Sequence, residues 1–372
     1  MNGNGKLTRV REMIRKEFLQ VRRDPRLWRM ILVAPVIQLI VFGYAASTDV
    51  HRTRTFVVDF DHTRESRELV DAFTASGYFR IVGRSSRPAD LVDALDHADA
   101  VVGIEIPVGF TQSLRNGSGA RVQILLDGTN SNMATVARGY AERIVLNYGA
   151  RFVSMTRPAP VELRARAWFN PDLASRNYNV PGVVALIVLL VCLQLTSLAV
   201  VREREIGTLE QLMVSPLTPG ELIAGKTIPF GLMSLVDLAL VTTAALLWFG
   251  VPFEGNVLLL LAGCVLFILS GLGMGLLVST VSNTQQEAFM INFLIFMPII
   301  LLSGFMFPVS SMPPVFQWLT LLNPMRHFLE IIRGIFLKGT GLAALWPQYL
   351  WLAVMGTGVL AFAARRFHKT AG

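Results

Sequence analysis

A chain of 372 residues has room for two or more soluble domains, but 52% of it is hydrophobic, only 16% is charged, and the mean hydropathy is +0.50. That balance excludes an ordinary soluble protein and is the composition of a membrane protein. The net charge of +8 is concentrated near the N-terminus and otherwise scattered between apolar runs, so it argues for an anionic lipid surface and against a nucleic-acid partner; Cys192 and Cys264 each lie within an apolar run, which excludes a disulfide framework.

The chain begins with a basic lead-in over 1–27, where "KLTRVREMIRKEFLQVRRDPRLWR" carries Lys6, Arg9, Arg11, Arg15, Lys16, Arg22, Arg23, Arg26 and, just beyond, Arg29. Leu7, Val10, Ile14, Phe18 and Val21 recur at spacings of three and four with basic residues between them, which predicts an amphipathic helix lying on the membrane surface. A secretory signal would explain the apolar run at 28–47 and the small-residue triplet Gly43 to Ala45, but the charged lead-in is too long for a signal's first region, so the run reads as an uncleaved span. Five more runs approach the ~20 residues that a bilayer demands: 180–201, 227–250, 257–281, 287–308 and 346–364. Each must be helical, because unpaired backbone groups in hydrocarbon cost several kcal/mol apiece. The basic N-terminus should stay cytoplasmic; alternation then puts 202–226, "SNTQQE" and the tail with Arg365, Arg366 and Lys369 on the same side, so both termini are cytoplasmic.

Residues 48–178 fall outside as one block of about 130 residues, enough for a small folded domain. "TFVVDFD", "YFRIVG", "DAVVGIEI" and "RVQILLD" are short runs rich in β-branched residues, and "ESRELVDAFTAS", "PADLVDALDHA" and "MATVARGYAERIVLNYGARF" read as helices between or after them. The alternation predicts an α/β domain. "LLDGTN" places Asp127 to Asn130 after a strand, where Asp-Gly is foremost a turn signal.

"GELIAGKT", residues 220–227, fits the phosphate-binding pattern at Gly220, Gly225, Lys226 and Thr227. The pattern works only between a buried strand and a helix of a soluble sheet. Here Pro216 and Pro219 precede it and an apolar span follows, so the match is a coincidence and Lys226 is expected to snorkel at the membrane face. No ATPase site, other catalytic constellation, cofactor or metal cluster is expected in the chain. Upstream, "REREIGTLEQLMVSP" predicts a helix with Ile206, Leu209, Leu212 and Met213 on one face and Glu203, Arg204, Glu205, Glu210 and Gln211 around the rest, closed by Pro216.

Within the spans, Asp237 is a costly carboxylate at mid-depth, with Thr242, Gln194 and Asn292 as available partners; it reads either as lining a transport path or as structural. Gly271, Gly275 and Ser279 share a face and predict a helix-packing seam, while Glu287 suits an N-terminal cap. The run at 287–308 is interrupted by Pro298, Ser303-Gly304 and Pro308 and should turn back on the outer side, followed by short amphipathic helices over 309–340 with Phe316 and Trp318 as anchors. Arg326, Glu330 and Arg333 form one charged stripe there, readable as a salt-bridged ladder or as an outer gate.

Three blocks in order, "RNYNVPGVVALIVLLVCLQLTSLAVVREREIGTLEQLMVSPLTPGELIAGKTIPF", "LSGFMFPVSSMPP" and "LNPMRHFLEIIRGIFLKG", resemble the permease subunits of ATP-binding-cassette exporters of the type-2 class, in the subgroup with a large extracytoplasmic domain between spans one and two. The resemblance implies a polytopic α-helical membrane protein of the bacterial cytoplasmic membrane, with six transmembrane helices and an inserted α/β extracytoplasmic domain. Its divisions would be 1–27 (connecting helix), 28–47 (first span), 48–178 (outer domain), 179–366 (spans two to six) and a tail at 367–372. It implies that 202–216 is a coupling helix docking into separate cytoplasmic ATPase subunits through Glu203, Arg204, Glu205, Gly207, Thr208 and Glu210. It implies a dimer of permeases, leaves room for a membrane-fusion adaptor outside, and points to drugs, lipids or other amphipathic cargo. The competing reading, a membrane receptor with an outer ligand-binding domain, lacks any internal loop long enough for an output domain.

Overall fold

The computed structural model describes residues 3–45, 52–128, 131–152, 174–208 and 218–370. The chain forms two compact units, Met1–Ser47 with Ala167–Gly372, and Thr48–Arg166.

The larger unit begins with α1 (Gly3–Arg23), which Asp24 and Pro25 bring to an end. A second helix then runs as α2 (Pro25–Trp28), a π-turn (Arg29–Val33) and α3 (Ala34–Ala45). Pro35 explains the π-turn: its ring has no N–H to give and crowds the carbonyl four residues back, so the chain widens and Ala34 N–H donates to the Arg29 carbonyl five residues away. From Pro25 to Ala45 the helix is about 30 Å long, the thickness of a bilayer core. α1 differs from the face its spacing predicts. Met13, Glu17 and Val21 are buried, Val10 and Ile14 are half-buried, and Leu7 and Phe18 face outward. The helix is turned so that an acid, Glu17, points inward.

In the smaller unit, β1 (Thr53–Asp59), α4 (Arg64–Ala75), β2 (Phe79–Ser85), α5 (Pro88–Asp96), β3 (Val102–Ile106), α6 (Phe110–Asn116), β4 (Gln123–Leu126) and α7 (Ser131–Gly149) follow one another. The sheet order is β2-β1-β3-β4; β1 is parallel to both neighbours and β4 is antiparallel to β3. Because side chains alternate along a strand, Val102, Ile104 and Ile106 share one face. There they join Leu69, Val70 and Phe73 of α4 and Ala137, Ala141 and Tyr148 of α7 in one core. On the opposite face Gly103 leaves room for Leu91 of α5, whose Cδ1 would lie 2.6 Å from any added Cβ. The apolar stretches singled out in the sequence form the four strands, and the short helix α6 had no periodic signal to announce it.

The remaining helices are α8 (Ser175–Glu205), α9 (Pro219–Phe249), α10 (Val257–Val281), α11 (Gln285–Leu301), α12 (Pro314–Leu319), α13 (Pro324–Lys338) and α14 (Leu342–Thr370). Among the described residues four helices are long and apolar enough to cross a membrane: Ser175–Glu205, Gly220–Phe249, Val257–Val281 and Leu342–Arg366. Arg29–Ala45 and Gln285–Leu301 are shorter apolar helices. α8 is the most enclosed, with 83% of its apolar window buried by α3, α9, α10, α11 and α13. Side-chain caps start three of the others: Thr218 and Glu221 form a capping box on α9, Asn256 caps α10, and Thr284 caps α11 while Glu287 reaches back to Asn283 N–H at 2.7 Å. α11 stops at Leu301, short of the span boundary at 308, and Gly304 (φ +81°) turns the chain.

The small-residue seam packs against two partners. A Cβ at Gly271 would lie 3.0 Å from Cys192 Sγ, and one at Gly275 would lie 2.7 Å from Thr196 Cβ, both on α8. Between them Gly273 faces α14 near Leu360 N at 2.8 Å, and Gly356 of α14 answers it from 3.0 Å off Leu266 O. Gly275→Leu should therefore force α8 and α10 apart, costing about 1–3 kcal/mol and lowering the melting temperature of the purified protein in detergent. Gly358→Leu, with nothing within 4 Å of its Cβ position, should leave that temperature unchanged.

Candidate functional site

The strongest concentration of buried charge lies where α1, the end of α8 and the start of α9 meet. Lys226 of α9 is 1% exposed, Glu17 of α1 3% and Glu203 of α8 4%. Lys226 Nζ donates to Glu17 Oε1 at 3.1 Å and is 2.7 Å from Glu203 Oε2; the second contact is an ion pair by distance, although its angle falls outside hydrogen-bond geometry. Lys16 Nζ closes the group from the surface by donating to Glu203 Oε1 at 2.5 Å. Further contacts extend it along both helices: Arg9 donates to Glu221 at 2.9 Å, and Arg202 to Asp24 at 2.9 Å. Each end of α1 is thus tied by charge, and its middle by a buried pair.

This junction also accounts for the phosphate-loop look-alike. Residues 220–227 belong to the first turns of α9, so their backbone groups serve a helix and not a loop. A Cβ at Gly225 would lie 2.5 Å from Met13 Cγ, so this glycine admits α1, and Lys226 pairs with the acid one turn further along it. The expectation that Lys226 snorkels to the membrane face is corrected: a snorkelling ammonium needs water, and this one is enclosed by two carboxylates.

The six residues read as coupling contacts divide. Arg202 to Glu205 form the last turn of α8, which ends when Ile206 N–H and Gly207 N–H bond back to the carbonyls of Arg202 and Arg204 and Gly207 takes φ +78°. A continuous helix from 202 to 216 is therefore corrected, because Gly207 breaks it. Glu203 points inward and Ile206 is 63% exposed, the reverse of the sequence reading, since both follow the face of α8 and not that of a separate helix. Arg204 Nη1 donates to Ser282 O at 2.7 Å, Glu205 is exposed and accepts from Gln285 Nε2 at 2.6 Å, and Thr208 Oγ1 donates to Glu203 O at 3.2 Å. Glu210 lies outside the described residues, as do Leu209, Leu212 and Met213.

Asp237 is fully buried on the inner side of α9 among Met233, Ser234, Leu238 and Val241, and neither carboxylate oxygen has a hydrogen-bond partner. Of the partners proposed for it, Gln194 and Asn292 bond elsewhere, Asn292 Nδ2 donating to Gln194 Oε1 at 3.2 Å and to Ser197 Oγ at 2.6 Å, and Thr242 Oγ1 makes no hydrogen bond to Asp237. Arg326, Glu330 and Arg333 do not make one ladder. Arg326 bonds Thr320 Oγ1 and is 3.8 Å from Glu330, Glu330 accepts from Gln348 of α14, and Arg333 turns to the other side. Its guanidinium stacks 3.7 Å from the Tyr178 ring centroid, donates to Tyr178 Oη at 2.8 Å and reaches Gly304 O at 3.3 Å, joining the start of α8 to the bend after α11.

In the smaller unit the strand order reverses between β1 and β3, the place where parallel sheets commonly hold ligands. Here the chain fills it. Asp61 accepts Gly109 N–H at 2.8 Å, Thr111 N–H at 3.0 Å, and the hydroxyls of Thr63 and Thr111. Burial pushes its pKa up, but these bonds outweigh that and hold it below the ordinary carboxylate value. Asp127 N–H bonds Val101 O at the end of β4, as befits a turn; Thr129 and Asn130 lie outside the described residues. No group of His, Cys, Asp or Glu suited to a metal occurs among the described residues.

Residues 25–365 match the family described as ABC-2 family transporter protein. The chain is similar to the probable multidrug ABC transporter permease YbhR of Escherichia coli strain K12, 36% identical over 364 residues that cover 96% of this chain and 99% of that protein. It is also similar to the probable multidrug ABC transporter permease YbhS of the same strain, 32% identical over 375 residues, 96% of this chain and 97% of that protein. With ABC transporter G family member 20 of Dictyostelium discoideum it shares 21% identity over 346 residues, 90% of this chain but 47% of that protein.

Removing one member of a buried ion pair leaves the other unpaired, at a cost of about 3–5 kcal/mol. Lys226→Met should therefore lower the yield and melting temperature of the purified protein, whereas Lys226→Met combined with Glu17→Met should recover much of the loss, leaving Glu203 paired with Lys16. Thermal unfolding of the three proteins side by side checks this; equal melting of the single and double variants would contradict it.

Proposed function

The chain belongs to the ABC-2 family of transporter proteins and is a transporter permease, and from that premise we propose that two copies form an exporter's translocation path, driven by separate cytoplasmic ATPase subunits. The relatives named as permeases favour this over a ligand-sensing receptor. It is a multi-pass membrane protein. The finer reading adds Arg29–Ala45 and Gln285–Leu301 to the four long helices, for six spans, with both termini cytoplasmic and Thr48–Arg166 outside, where an adaptor protein would have access to it. The names of the Escherichia coli relatives support drugs or similar amphipathic molecules as cargo.

The observation that carries the mechanism is the buried cluster of Glu17, Glu203 and Lys226. The segment from Glu205 to Pro216 is the proposed ATPase contact, and it links α8 to α9. ATP binding on the partners would shift this segment; because Glu203 and Lys226 hold the two flanking helices to each other and to α1, the shift passes into the bundle instead of being absorbed by a loose loop. The chain performs no hydrolysis in this scheme. At the other side, Arg326, Glu330 and Arg333, through their contacts with Thr320, Gln348 and Tyr178, set the position of α12 and α13 as an outer gate.

Glu205, which is exposed, and Glu210 are the contacts to test, since reversing the buried Glu203 would gather cations in a closed site and upset the fold. Glu205→Lys with Glu210→Lys should cut ATPase co-purification by about tenfold or more, since meeting like charges cost several kcal/mol, with the melting temperature of the permease unchanged. Undiminished ATPase recovery and transport would remove the docking assignment. The topology has its own check: a cysteine at Ser118 should react with an impermeant thiol reagent added outside intact cells, and one at Thr208 should react only after permeabilisation.

A further inference from the structure

A basin of about 750 Å³ opens on the flank of α1, within the ~300–1,000 Å³ usual for small-molecule sites. Four cations line it, Arg15, Lys16, Arg23 and Arg202, against two acids, Glu12 and Asp24. Lys16 and Arg202 are committed to Glu203 and Asp24. The other two are free to serve a ligand: Arg15 has only a loose surface contact with Glu12 at 3.6 Å, and Arg23 has no ion-pair partner among the described residues. Gln20 and Arg202 also line a second, narrower cavity of about 70 Å³, whose other walls include Val21, Met30, Leu195 and Phe230 together with Glu17 and Gln285. A cationic basin therefore adjoins a slot whose walls are mostly apolar. Leu19 in the basin wall is 42% exposed, and Phe18 and Trp28 nearby in sequence leave 40% and 44% of their surface outward, an apolar rim of the kind that belongs at a lipid interface.

The geometry points to a binding site for one anionic glycerophospholipid, its phosphate and headgroup held by Arg15 and Arg23 and the upper part of a chain turned into the slot. The assignment rests on the reading that α1 lies along the membrane surface. An acidic segment of a protein partner would satisfy the cations but has no use for the slot; a neutral lipid would use the slot and leave the cations unspent. Arg202 contributes both to the basin and, through Asp24, to the joint between α1 and α2, so a bound headgroup would brace the same junction that holds Lys226.

The test uses the full-length protein alone in nanodiscs of equimolar phosphatidylglycerol and phosphatidylcholine, with the lipids retained after detergent extraction counted by native mass spectrometry. Phosphatidylglycerol should be kept over phosphatidylcholine by about tenfold or more, as expected for two cations near a headgroup. The preference should vanish in R15Q/R23Q, which replaces two exposed side chains, and persist in R365Q/R366Q near the C-terminus. Equal retention of the two lipids by the unaltered protein, an undiminished preference in R15Q/R23Q, or the same loss in R365Q/R366Q would each overturn the site. So would loss of ATPase co-purification in R15Q/R23Q with lipid retention intact, which would assign the basin to an acidic partner. Because the lipid count needs no ATPase, it fails or succeeds independently of the docking assignment made for Glu205 and Glu210.

Discussion

Lys226 lies at 1% exposure between two carboxylates, and the arrangement around it follows from what it costs to enclose such a side chain. An ammonium taken from water loses several kcal/mol of solvation, and only close opposite charge with good geometry restores it. Two carboxylates do so from two different helices, and each of them in turn is enclosed. The pairing fixes the rotation of α1, since only one orientation puts Glu17 inward, and it fixes the end of α8, since Glu203 must stay helical to reach. Hydrophobic contact alone would hold α1 less specifically: Met13 against Gly225 and buried Val21 would tolerate a slip that the ion pair forbids.

Around this junction the bundle relies on close backbone approach. Without water between helices there is little hydrophobic gain from bringing apolar faces together, so small residues that let main chains touch become decisive. α10 uses both sides of one stretch this way, with Gly271 and Gly275 toward α8 and Gly273 toward α14. The polar interior is sparse and local: Asn292 Nδ2 bonds Gln194 and Ser197 between α8 and α11, and Asp237 stands apart from them.

The four long apolar helices, the strands of the smaller unit, the glycine seam and the capping role of Glu287 are legible because each has a periodic or positional signature that local physics enforces. The charged junction was not. Leu7 and Phe18 share the spacing of Val21, and nothing local separates the apolar residues that face outward from those that face protein; nothing near Glu17 in sequence marks it as buried, because its partner lies 209 residues away. Glu203 was assigned to a new helix since "REREIG" is polar, whereas the backbone of α8 simply continues until Gly207 allows it to stop. Arg326, Glu330 and Arg333 have ladder spacing, but each found a partner on another helix or loop, a long-range choice that spacing cannot encode.

Arg333 gives α8 a second fixed point. With Glu203 held at one end and Tyr178 stacked under a guanidinium at the other, a helix of 31 residues, about 46 Å long, is pinned at both extremities. A rod held that way behaves as a strut: a push at one tip cannot dissipate in fraying and must emerge at the opposite tip. Pro181 is the one weak place along it, three residues from Tyr178, where the main chain lacks a donor, and Phe305 occupies the space beside Gly182 where a side chain would have been. The turn around Pro181 is thus the place where α8 can bend, and Arg333 also holds the turn at Gly304.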